Sequence, residues 1–190
     1  MAWKGGVQVA HDDERQMVGD WMQLYGSAVW AYLYAITKDH ATTDDLAQDV
    51  FVQAYLNFTA FRAESSPKTW LFAIARNKAK DYFKSAFWRR IIPTDKLSDQ
   101  GFETGISAEE EVIHFFSSHR LAEAVYQLKP IYREAVVLHV QEELTFREMA
   151  SVTGTSESAV KVRYQRALVM LRQKLEREGL QYGVRRQDIF

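Results

Sequence analysis

Apolar side chains recur along this chain at steps of three and four, the period of a helix buried on one face. Met17, Trp21, Leu24, Tyr25, Ala28 and Tyr32 form one such stripe and predict a first amphipathic helix. Leu46, Ala47, Val50, Phe51, Ala54, Tyr55 and Phe58 predict a second. Thr42 or Thr43 is expected to cap its first backbone N–H groups, with Asp44 and Asp45 at the positive end of its dipole. After the loop FRAESSPK, which contains Pro67, a third helix is expected over about residues 69–86, burying Leu71, Ile74, Ala75, Ala79 and Tyr82. The run IIPTDKLSDQGFETGIS has Pro93, two Gly and weak periodicity, and reads as a flexible linker over 91–107. SAEEEV then offers a capping box, Ser107 with Glu110, for a helical region over 108–128. Pro130 opens a further helix, PIYREAVVLHVQEE, and two more flank Gly154. No strand-like alternation persists and no internal repeat is found. The expected fold is all-α, in two small helical domains over 11–90 and 108–178, with a tail at 179–190.

Composition adds limits. With 47% hydrophobic and 26% charged residues, only three Pro and nine Gly, the 190 residues suit a folded soluble protein. The chain has no Cys, which excludes disulfides, thiolate metal sites and a cysteine nucleophile, and suits a reducing cytosol. The start, MAWKGGVQVAHDDER, lacks an apolar run of signal-peptide length, and no uncharged stretch of about 18 residues offers a membrane span. A cytoplasmic location without membrane insertion is expected.

The net charge of −1 hides an uneven distribution. Asp39, Asp44, Asp45 and Asp49 stand in residues 39–49 without a Lys or Arg, whereas residues 62–90 hold eight basic side chains against Glu64 and Asp81. Residues 95–111 hold six acids and one Lys, and residues 161–177 hold six basic side chains against Glu176. Two basic blocks, each preceded by an acidic one, are either solvated faces or two separate contacts with a polyanion.

The second basic block favours the polyanion. Thr145 and Glu148 form a capping box, T-F-R-E, opening a short helix to about Thr153; Gly154 makes the turn and Ser156 caps the next helix. That order is a helix-turn-helix, with Ala150 small enough for close approach and Val160 in the core beneath. At about 100° per residue, Val160, Tyr164, Ala167, Leu168 and Leu171 share one face of the second helix. Ser158, Lys161, Val162, Gln165 and Arg166 sweep across the other, with Arg163 at its edge. Arg and Lys bond phosphates or guanine edges, Gln pairs with adenine, and Val touches a thymine methyl. A membrane-lying helix would turn its apolar face to lipid, and here the preceding helix needs that face.

These residues converge on a family. LKPIYREAVVLHVQEELTFREMASVTGTSESAVKVRYQRALVMLRQKL resembles region 4 of bacterial RNA polymerase sigma factors, and TTDDLAQDVFVQAYLNFTAFRAESSPKTWLFAIARNKAKDYFKS resembles their region 2. The order and short length resemble an extracytoplasmic-function (group IV) sigma factor, over about residues 15–90 and 108–177. The resemblance implies that DDLAQDVF, residues 44–51, lies in the helix that docks on the clamp coiled coil of the polymerase β′ subunit. With the second stripe buried, Asp45, Gln48, Asp49, Val52 and Gln53 remain on its outer face, a patch suited to a basic partner helix.

FRAESSPKTWLFAIARNKAKDYFKS is similar to the family's −10 promoter segment. Arg76, Lys80 and Lys84 stand at i, i+4 and i+8, a stripe that can track phosphates. The loop 62–68, with Arg62, Ser65, Ser66 and Lys68, is similar to the family's pocket for a base turned out of the duplex; binding the unpaired state favours opening. Asn77 is an expected polar contact; Trp70 either stacks on a base or joins the core. The helix bearing Ser158, Lys161, Val162, Arg163, Gln165 and Arg166 is implied to read the −35 element. Thr153 and Thr155 depart from the family, which usually has aliphatic residues there, implying a turn packed less tightly. The tail with Arg185 and Arg186 lies beyond the match and is expected to fray.

The resemblance implies a dissociable, non-catalytic specificity subunit. Its partners would be core RNA polymerase, through the β′ clamp and β flap, promoter DNA, and an anti-sigma factor that masks it and can hold it near the membrane. No cofactor and no metal are expected. A helix-turn-helix regulator acting without polymerase would leave residues 44–51 and the first basic block without a purpose. An enzyme finds little support: His11, His40, His114, His119 and His139 lack metal-ligand spacing, Glu109–Glu111 suits a helix start, and no phosphate-cradling loop or nucleophile elbow occurs.

Overall fold

A computed structural model describes the backbone of residues 5–62, 64–91 and 119–177, and the side chains of residues 13–62, 64–85 and 121–177. Among the described residues there is no strand, and the protein is all-α. It forms two compact units, one chiefly from residues up to Lys84 and one chiefly from those after it.

The first unit holds α1 (Gly5–Thr37), α2 (His40–Leu56), a 3-10 turn (Phe58–Ala60) and α3 (Pro67–Ile91). α1 packs along α2. Its buried row is Val18, Trp21, Val29, Tyr32 and Leu33, one position round from the expected stripe. Trp21 and Tyr32 are buried as expected, Tyr25 and Ala28 are half-buried, but Met17 is exposed and Leu24 is 67% exposed. The two stripes share Trp21 and Tyr32 and are centred roughly 60° apart round the helix, so the partner's position chooses between them.

The start of α2 also differs from expectation. Asp39 is the N-cap, its Oδ2 accepting the Thr42 N–H at 2.8 Å, so Thr42 and Thr43 lie inside the helix. The Thr43 hydroxyl, buried, donates to the Asp39 carbonyl at 2.6 Å and lies 2.7 Å from the Thr37 hydroxyl. Lys38, at φ 58°, supplies the left-handed turn before the cap. The first turn of α2 contains no acid; Asp44 instead accepts the Trp30 indole N–H at 2.6 Å. Leu46, Val50, Phe51 and Ala54 are buried, Ala47 and Phe58 are half-buried, and Tyr55 lies outside the core it was expected to join.

α3 begins two residues before the expected start. Ser66 caps it, accepting the Thr69 N–H at 3.1 Å, and Pro67 takes the first helical position, where its missing N–H costs nothing. Thr69, Leu71, Phe72, Ala75 and Ala79 are buried; Ile74 and Tyr82 are half-buried. Aromatic rings tie the helices together: Trp21 meets Phe58 at 5.5 Å, Phe61 at 5.1 Å and Trp70 at 6.0 Å, and Tyr32 meets Phe72 at 5.2 Å. Such pairs contribute about 0.5–1.5 kcal/mol beyond their burial.

The second unit holds α4 (His119–Tyr126), α5 (Pro130–Val136), a π segment (Val137–Gln141), α6 (Phe146–Thr153) and α7 (Glu157–Arg177). Its core joins Ala122, Val125 and Leu128, Val136 of α5, and Ala167, Leu171 and Leu175 of α7, with Leu121, Tyr126, Tyr132 and Tyr164 at the rim. Pro130 opens α5 as expected, but the single helix expected after it widens at Val137. There the Glu142 N–H donates to the Val137 carbonyl at 3.0 Å, and Glu143, at φ 55°, ends the run. Apart from residue 91, which ends α3, the expected linker 91–107 lies outside the described residues, as do the Ser107–Glu110 box and the tail 179–190. Among the described residues no helix is long and apolar enough to cross a membrane.

Candidate nucleic-acid interface

Local chemistry shapes the helix-turn-helix. Glu148 N–H donates to Thr145 Oγ1 at 3.3 Å and Thr145 N–H returns a bond to Glu148 Oε2 at 2.9 Å, so the capping box satisfies two amides that α6 leaves open. Gly154, at φ 61° and ψ 34°, takes the left-handed conformation that reverses the chain. Its N–H and that of Thr155, at 3.2 Å, both reach the Ala150 carbonyl, and Thr153 is buried. Ser156 Oγ accepts the Ala159 N–H at 3.2 Å and starts α7.

α7 then divides as the sequence predicts. Val160, Ala167 and Leu171 are buried, and Tyr164 and Leu168 are half-buried. Ser158, Lys161, Val162 and Arg166 are exposed on the outer side, with Arg163 and Gln165 half-buried among them. Hydroxyl, ammonium, amide and guanidinium groups thus accompany one isopropyl group, which is a set able to hold phosphates and to contact base edges. Beyond Arg166 the exposed Val169 extends the outer row, a position the helical wheel places there but charge-based reading passes over.

In the first unit, Asp45, Gln48 and Asp49 are exposed on α2, Val52 is 52% exposed and Gln53 is half-buried. The same face runs on to Tyr55 and to Leu56, which is 67% exposed. Leu56 stands four residues after Val52, so continuing the outer row would have found it. Asp49 Oδ2 accepts from Lys78 Nζ of α3 at 3.2 Å, and the Thr42 and Tyr82 hydroxyls are hydrogen-bonded to each other at 3.2 Å. These two bonds join the α2 and α3 surfaces.

On α3, Asn77, Lys80 and Lys84 are exposed and Arg76 is half-buried. Arg62 is exposed in the preceding loop, with Ser65 half-buried and Ser66 exposed. The Ser66 hydroxyl is engaged by Thr69 as the helix cap. Lys68 Nζ lies 5.8 Å from the Phe72 ring centre. Trp70 is half-buried, tilted against Phe61 at 5.2 Å and edge-on to Trp21 at 6.0 Å.

Residues 21–89 match the family of sigma-70 region 2, and residues 118–171 match that of sigma-70, region 4. The ECF RNA polymerase sigma factor BldN of Streptomyces coelicolor is 31% identical over 163 residues, which are 85% of this chain and 61% of BldN. The RNA polymerase sigma factor YlaC of Bacillus subtilis is 27% identical over 161 residues, 85% of this chain and 93% of YlaC. Among solved structures, the sigma factor RpoE from Bartonella quintana, bound to the anti-sigma factor NepR, superposes with a TM-score of 0.65 at 20% identity, covering 83% of this chain and 96% of that one. CnrH, bound to the cytosolic domain of CnrY, superposes with a TM-score of 0.64 at 24% identity, covering 89% of this chain and 94% of that one. The fold is shared with both. With both sigma-70 regions present in order, the chain belongs to the extracytoplasmic-function RNA polymerase sigma factors.

Proposed function

We propose that this chain is an alternative sigma factor that binds core RNA polymerase and directs promoter-specific initiation. The observation that carries this reading is one chain with a sigma-70 region 2 match, then a region 4 match whose helix-turn-helix turns a basic, amide-bearing face to solvent. The outer face of α2, Asp45, Gln48, Asp49, Val52 and Gln53, docks on the β′ clamp, and the second unit meets the β flap. Arg76, Asn77, Lys80 and Lys84 follow the −10 backbone, while the loop 62–68 receives an extruded base and so favours strand opening. Ser158, Lys161, Val162, Arg163, Gln165 and Arg166 read the −35 element in the major groove. The polymerase synthesises RNA, and this subunit performs no covalent chemistry.

An anti-sigma factor masks these surfaces in the bacterial cytoplasm and can hold the subunit near the membrane. Support for that partner comes from RpoE, solved in complex with the anti-sigma factor NepR. The test is transcription in vitro from a promoter library, with purified core polymerase and this protein. Expected are transcripts from a defined promoter subset that need both components. A protein that binds duplex DNA specifically without core, and adds no transcripts with it, would instead be a conventional regulator.

A further inference from the structure

We propose that His139 is a positioning residue for α7, locking the rotation of the DNA-facing helix through an aromatic clasp. Three rings from three elements meet at one point. The His139 ring, in the π segment, stacks on Phe146 of α6 at 4.5 Å and 23°. Its other neighbour is Tyr164 of α7, edge-on at 4.6 Å and 78°, and Phe146 meets Tyr164 at 5.8 Å. The His139 Nδ1–H donates to the Leu144 carbonyl at 2.8 Å, so the ring also grips the turn that leads into α6. The π segment and the left-handed Glu143 shape that turn, with the Leu144 N–H returning to the Leu138 carbonyl at 3.0 Å.

Aliphatic contacts fill space without preferring an angle, whereas rings favour edge-on or offset geometry. A clasp of rings therefore defines the roll of α7 as well as its depth. Tyr164 stands next to Gln165 and within three residues of Lys161, Val162, Arg163 and Arg166. Turning Tyr164 about the helix axis moves every one of those side chains relative to a bound groove. π segments interrupt helices often at functional positions, and here the interruption carries the clasping residue.

This role rests on α7 being the −35 reader. The experiment uses holoenzyme with the full-length chain, on promoters that share one −10 element and differ at single −35 positions. Tyr164→Phe keeps the ring and is expected to retain the parent's ranking. Tyr164→Leu and His139→Leu are each expected to shrink the ratio between preferred and poorer −35 sequences by about tenfold. Core affinity and −10 preferences stay unchanged. The double variant is expected to lose no more than either single one, since both break the same contact. Because leucine at either site can unsettle the unit, His139→Asn, which keeps a donor for the Leu144 carbonyl but has no imidazole ring, is judged by the same ratio. A uniform fall in transcription with ratios intact would overturn the proposal, leaving the rings a purely structural role. Arg166→Ala is the control. If it shifts the ratios or the salt slope of binding and the His139 variants leave the ratios intact, the clasp alone fails; if it shifts neither, the reading face and the clasp both fall.

Discussion

Asp39 starts α2 with a single carboxylate that accepts the Thr42 amide. Bonds from the Thr42 hydroxyl and amide, with a smaller contribution from His40, hold its carboxyl below the usual value of 3.8. A carboxyl whose folded pKa is depressed adds stability that is present above the unfolded pKa and is lost as pH falls through the folded one. Thermal melts should therefore show Asp39→Asn, which keeps a cap, close to the parent at neutral pH but less sensitive to acid below about pH 4. Asp39→Ala should cost about 1 kcal/mol at neutral pH. Asp49 poses a different case. Its exposed bond to Lys78 contributes little to folding, at most about 1 kcal/mol, so Asp49→Lys should melt nearly as the parent does while its affinity for core polymerase, measured by titration, falls. Arg166→Ala should cost about 1–3 kcal/mol of −35 discrimination if the guanidinium reads a base, or lower the salt slope of binding by about one if it holds a phosphate.

The helix-turn-helix depends on how α6 begins and ends. Thr145→Ala removes the hydroxyl that accepts the Glu148 N–H, leaves the backbone N–H bond to Glu148 in place, and should lower stability by about 1 kcal/mol in urea unfolding. Gly154 has nothing within 4 Å of the place where a Cβ would sit, so space does not restrict it. Its φ of 61° does. Gly154→Ala should cost about 1 kcal/mol for the left-handed backbone alone, and Gly154→Asn less, because Asn tolerates that conformation. α2 carries the opposite design: a buried row of Leu46, Val50, Phe51 and Ala54 under a face of acids and amides that grades into Tyr55 and Leu56. Such a face offers a partner helix both charge and apolar area.

For the whole molecule, the proposed division of labour separates two phenotypes. A defect on the α2 face removes the subunit from polymerase and should reduce output at every promoter by a similar factor. A defect on the α7 face leaves the subunit bound and should reorder the promoters. Transcription from a panel of promoters, run with Asp49→Lys and Arg166→Ala in parallel, distinguishes a uniform loss from a change of ranking. The same result from both substitutions, with core affinity lowered equally in both, would contradict the assignment of the two faces. Raising salt should weaken promoter binding steeply, since the phosphate contacts proposed for both α3 and α7 would release counterions.

Features set by residues three or four apart were legible in the chain itself: the Thr145–Glu148 box, the Gly154 turn, the Ser156 cap, the two faces of α7 and the outer row of α2. Each depends on one helix's own geometry, which a spacing expresses directly. Packing settled the rest. Whether Met17 and Leu24 or Val18 and Val29 point inward was open until α2 took its place beside α1, because adjacent helical rows differ by a modest rotation. The shift of the α2 cap to Asp39, the exposure of Tyr55, the Asp49–Lys78 bond and the meeting of His139 with Tyr164 all involve a choice among neighbours or groups distant along the chain. Periodicity encodes which residues can share a face; only the assembled helices choose which partner each face meets.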